Sequence, residues 1–157
     1  MLELKPFSPE VAAKVYELER GAERGQTIED IEWLLALPQN VAYGIWQGEK
    51  LVGCLGLEHL GDATVRYHIA MKRKAVALPE LRALLWTVGE ALFLSGVRRI
   101  VTINEREQRA ERRLAVYCGL ERVDGRVHEI THERLKKCRE EPDGMANRRG
   151  AGYESAL

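Results

Sequence analysis

Side chains able to take a proton at neutral pH stand close together in the middle of the chain. Glu58 and His59 end an apolar run, and His68 lies in the β-rich segment that follows. A carboxylate or imidazole so placed could reach a groove beside the sheet and act as a general base. Such residues also occur simply at strand edges and surfaces. Just beyond, Lys72, Arg73 and Lys74 put three cations in a row before Pro79. They would attract phosphates by charge, or stand solvated in a turn. The cysteines, Cys54, Cys118 and Cys138, form no CxxC pair, and their odd number argues against a disulfide framework. Cys54 and Cys118 read as small buried hydrophobes, and Cys138, among charges, as a free thiol. His128 and His132 fall in a predicted strand, where residues four apart lie roughly 13 Å from each other, so no metal site is expected.

The rest of the chain must position these groups. Its 157 residues suit one core, and 45% hydrophobic with 31% charged residues is an ordinary globular balance. The 24 basic and 24 acidic residues cancel, so nucleic acid is not an expected partner. No apolar run approaches the roughly 20 residues that span a bilayer, and the N-terminus lacks a signal pattern. The expectation is a protein of the reducing cytoplasm, with no membrane partner.

Alternation predicts a short strand over residues 2–5. Ser8 and Pro9 open a helix carrying Val11, Val15 and Leu18, and Thr27 with Asp30 opens a second, stopped by Pro38. Strands over 41–46, 51–57 and 63–71 form an antiparallel meander with turns at 47–50 and 61–62. In the last of these, Thr64, Arg66 and His68 share one face. A helix over about 79–95 carries Leu81, Leu84, Leu85, Val88, Leu92 and Phe93 and ends at Gly96. A strand over 97–103 follows, then a helix capped by Asn104 and ended by Gly119. A hairpin over 120–131 turns at Asp124-Gly125. Trp33, Trp46 and Trp86 sit in apolar patterns and read as core.

This order, β-α-α-β-β-β-α-β-α-β-β up to about residue 135, resembles the GNAT acetyltransferase fold. The segment Ile103-Asn104, followed by a helix ending Leu114-Ala115-Val116-Tyr117-Cys118-Gly119-Leu120, is similar to that family's Asn…Leu-Tyr…Gly-Phe ending. The resemblance implies an α/β (α+β) fold with a mixed, mostly antiparallel central sheet flanked by helices. It also implies acetyl-CoA, with its pyrophosphate in the turn after the fourth strand. Met71, Lys72, Arg73 and Lys74 occupy that turn, and Asn104 follows the fifth strand; these are the cofactor residues the resemblance assigns. Glu58 and His68 become its base candidates and Tyr117 its acid candidate.

Two departures oppose an enzyme. The family turn reads Gln/Arg-x-x-Gly-x-Gly/Ala, its glycine letting backbone N–H groups approach the anion at a helix N-terminus. Here residues 71–79 contain no glycine. The family also places its tyrosine four residues before the final glycine, which is Ala115 here. Tyr117 is two residues on, about 200° around the helix. Both departures resemble the internal virion protein A group of short-tailed bacteriophages, which implies a non-catalytic role in virion assembly or structure, in host cytoplasm or particle, with no cofactor. The alternative is an acetyl-CoA-dependent N-acetyltransferase of an unidentified amine. The sequence leaves open whether the chain is an enzyme.

The expected organisation is a GNAT-like domain over 1–135 and a polar tail over 136–157 that is flexible or docked on a protein partner or another copy. Within the tail, Pro142, Gly144, Gly150 and Gly152 oppose a helix, Tyr153 would anchor it, and Arg148 and Arg149 would meet acidic groups.

Overall fold

The computed structural model describes residues 1–8, 37–72, 76–104 and 109–142. The two helices expected after the first strand, Trp33, Arg73, Lys74 and the tail beyond residue 142 lie outside the described residues. Seven strands and three helices are described: β1 (Leu2–Pro6), β2 (Val41–Gln47), β3 (Lys50–Gly61), β4 (Thr64–Met71), α1 (Leu78–Leu94), β5 (Arg99–Ile103), α2 (Arg109–Tyr117), β6 (Glu121–Asp124), β7 (Val127–Thr131) and α3 (His132–Glu140). The strands hydrogen-bond in the order β1-β2-β3-β4-β5-β7-β6. This is the mixed, mostly antiparallel sheet the sequence predicts, with β4 next to β5. The chain divides into two compact units, Met1–Leu60 with Arg66–Leu84, and Gly61–Val65 with Leu85–Leu157.

In the first unit β1 runs antiparallel to β2, and β2 antiparallel to β3 with a bulge at Ile45/Trp46. Gly48 makes the tight turn between β2 and β3 at φ 62°, a left-handed conformation that favours glycine. Ile45 and Leu55 are fully buried, with Val52, Cys54 and Leu57 beside them in the core. Lys5 Nζ lies 5.0 Å from the ring centre of Trp46, which is only half-buried.

In the second unit the Ala63 carbonyl accepts from the Arg98 N–H at 2.7 Å, so β4 and β5 begin side by side. β5 pairs antiparallel with β7, and β7 with β6. Val65, Ile100, Leu135 and Cys138 are its most deeply buried side chains, and Trp86 donates its indole N–H to the Cys118 carbonyl at 2.8 Å. Gly96 ends α1 at φ 110°, as its position predicts.

Helix α3 corrects the expected polar tail from residue 136. It runs to Glu140, with Thr131 as N-cap accepting from the Arg134 N–H. His132 therefore starts a helix rather than sharing a strand with His128. Only Leu135 and Cys138 in this helix are apolar and buried, and their i, i+3 spacing puts both on one face. Two side chains in so polar a stretch are a weak periodic signal. They dock because Gly119 leaves room: a Cβ there would lie 2.5 Å from Cys138 Sγ. All three cysteines are buried, Cys138 included, and none of them forms a disulfide.

Candidate functional site

Strand β3 is buried from Leu51 to Glu58, and Glu58 is the charged residue of that run, 8% exposed. Alternation puts Glu58 on the face of Val52, Cys54 and Gly56. Its Oε1 meets His68 Nε2 at 2.8 Å, and the two side chains are 11% and 10% exposed. Arg66, on the His68 face of β4, brings Nη1 to 3.9 Å from the same oxygen. One residue on, the His59 N–H donates to Asn40 Oδ1 at 2.8 Å; Asn40 is 4% exposed. That bond fixes the backbone of β3 beside Glu58. A carboxylate that orients an imidazole in a poorly solvated place can accept a proton and hold it.

The structure thus brings together Glu58 and His68 from the sequence-derived site. His59 points elsewhere and is exposed. Sequence reasoning missed Asn40 and Arg66. Alternation had placed Arg66 on the His68 face without giving it a role. Asn40 closes a turn onto Leu37 just before β2, and no local pattern marks that asparagine as buried.

The phosphate side is built differently from a glycine nest. Met71 ends β4 half-buried, against Gly53, where a Cβ would collide with its sulfur. The Lys72 N–H donates to the Val52 carbonyl at 2.7 Å, so the backbone donor is spent and the exposed side chain supplies only charge. At the start of α1, Pro79 has no N–H, the Glu80 N–H donates to the Ala77 carbonyl at 3.1 Å, and Glu80 adds a carboxylate to the first turn. These features oppose an anion where a helix N-terminus would ordinarily favour one.

Asn104 and Tyr117 belong to the second unit. Asn104 follows β5, is 7% exposed, and donates its backbone N–H to the Arg126 carbonyl at 2.8 Å. Tyr117 is the last residue of α2 and half-buried, whereas Ala115 is buried and offers no proton. Among the described residues no group of three or more His, Cys, Asp or Glu could hold a metal, and no helix is long and apolar enough to cross a membrane.

No protein-family model matches the chain, and no curated protein matches its sequence. Solved structures do match. A putative acetyltransferase from T. thermophilus superposes with a TM-score of 0.67 at 16% identity, covering 91% of this chain and 92% of that one. The PaiA N-acetyltransferase of Thermoplasma acidophilum, solved with coenzyme A, gives 0.66 at 13% identity over 84% and 99%. Spermidine N-acetyltransferase from Vibrio cholerae, solved with CoA and spermine, gives 0.64 at 13% over 86% and 98%. The chain has the GNAT acetyltransferase fold.

Proposed function

We propose that this chain is an acetyl-CoA-dependent N-acetyltransferase in which Glu58 and His68 form the general base. The observation that carries the reading is their largely buried contact at 2.8 Å. An amine reaches a protein at neutral pH as ammonium, and its nitrogen attacks only after losing a proton. Glu58, held by the Asn40 bond on the next residue, accepts from His68 Nε2–H and orients the imidazole, and the other ring nitrogen, Nδ1, takes that proton. Acetyl-CoA, when bound, supplies the acyl group as a thioester. Lys72, Arg73 and Lys74 would attract its phosphates through side-chain charge, with Met71 as a further contact. Attraction of this kind is screened by salt.

The test is thiol release by the full chain from acetyl-CoA with a panel of amines. The expected result is turnover that Glu58→Gln removes and a KM for acetyl-CoA that rises with salt. Absence of both binding and turnover at millimolar acetyl-CoA would sink the reading.

The proline and the carboxylate in the first turn of α1 favour a second reading: a non-catalytic GNAT-fold protein of bacteriophage virion assembly or structure, found in host cytoplasm or particle. The residues beyond α3 then dock on a virion partner or another copy through Tyr153, Arg148 and Arg149. This reading expects no acetyl-CoA binding and co-purification with phage particles.

A further inference from the structure

The cluster around Glu58 carries both signs of charge within a few ångströms. One oxygen of Glu58 faces His68 at 2.8 Å and the guanidinium of Arg66 at 3.9 Å. The three side chains are between 10% and 17% exposed, so water screens their fields poorly. A polyamine brings several positive charges spaced by methylenes and no anion. It would set a cation beside Arg66 with one carboxylate to offset both.

An amine bearing a carboxylate close by is the better complement. In an α-amino acid the nitrogen and the carboxylate carbon are about 2.5 Å apart. Such a molecule can offer its amine to the Glu58–His68 pair while its carboxylate meets Arg66, whose planar fork suits a carboxylate. We infer that the acceptor is an amine with a carboxylate on the neighbouring carbon, an amino acid or a close analogue, and that Arg66 is the residue that reads the carboxylate. The inference rests on the acetyltransferase reading for its use of the site, and it has its own binding readout. It separates this chain from the spermidine N-acetyltransferase whose fold it shares.

The experiment uses matched acceptors that differ only in the carboxylate: L-alanine against ethylamine, L-phenylalanine against phenethylamine, and L-lysine against cadaverine. Thiol release from acetyl-CoA gives kcat/KM, and the NMR signals of the His68 imidazole report binding without acetyl-CoA. The carboxylated member of at least one pair should be favoured by about tenfold or more, the loss expected for a charge-assisted hydrogen bond. Arg66→Gln should abolish that ratio through KM, and Arg66→Lys should restore part of it, with thermal melting confirming that both variants fold. Preference for ethylamine, cadaverine or spermidine overturns the inference, as does an unchanged ratio in Arg66→Gln, or absence of binding by every carboxylated amine. Arg66-dependent binding of a carboxylated amine without turnover supports the inference and removes the acetyltransferase reading. Turnover that favours the amines lacking a carboxylate does the reverse.

Discussion

Among the described residues, two clusters of arginine, glutamate and histidine have almost the same spacing. In the first, His68 lies 2.8 Å and Arg66 3.9 Å from Glu58. In the second, His132 lies 3.0 Å and Arg139 3.8 Å from Glu90. Distance does not tell them apart; setting does. The first pair is 10–11% exposed and joins neighbouring strands that the sheet already ties together. Its burial costs desolvation and adds little fastening. The second pair is 29–30% exposed and joins α1 to α3, two helices with no backbone ladder between them. There Phe93 also stacks on His132 with centroids 5.2 Å apart. Three residue types thus make a candidate proton acceptor in a strand pair and a clamp between helices.

The sharpest way to break this comparison is to neutralise each glutamate. Glu58→Gln should lower kcat for acetyl transfer by about 10²- to 10⁴-fold, the range for a lost general base. Glu90→Gln should leave kcat within about threefold, since a half-exposed pair is worth little. Equal losses in the thiol-release assay would erase the distinction. Next, Leu135→Ala should destabilise the protein by about 2–5 kcal/mol in urea denaturation, because that side chain is 1% exposed. A change near zero would return α3 to the status of a tail. Gly119→Ala should cost about 1–3 kcal/mol, since the residue sits at φ 89° and its new Cβ meets Cys138. A silent substitution there would show that α3 has room to shift. His132→Ala should remove about 1 kcal/mol of stability with activity retained. His68→Ala should show the opposite pattern, and matching effects would merge the two clusters. The smallest effect belongs to Lys137→Ala, which breaks the exposed i, i+4 pair with Glu133 at 3.6 Å and should cost about 0.3 kcal/mol by thermal melting.

The strand meander was legible because apolar alternation, Gly48 and the Gly61-Asp62 turn each give a local signal. Helix α1 announced itself by its broad apolar stripe and by Pro79 and Gly96 at its ends. Helix α3 did not. With Leu135 and Cys138 as its buried pair, most of its residues read as solvent-facing, and the partner that makes room for them, Gly119, is far away in sequence. In the candidate site, Glu58 and His68 were visible as proton-active types near strand ends. Asn40 was not, since its bond to the His59 N–H spans 19 positions.

By itself the sequence determined the order of elements and the strand faces, because side-chain period and turn chemistry act over a few residues. It also shows that residues 71–79 hold no glycine, the residue type that most readily lets a backbone nest form around an anion. Only the tertiary structure decided which of two arginine–glutamate–histidine sets is enclosed. Burial depends on what packs above a residue, and neither Glu58 nor Glu90 carries that information in its own neighbours along the chain.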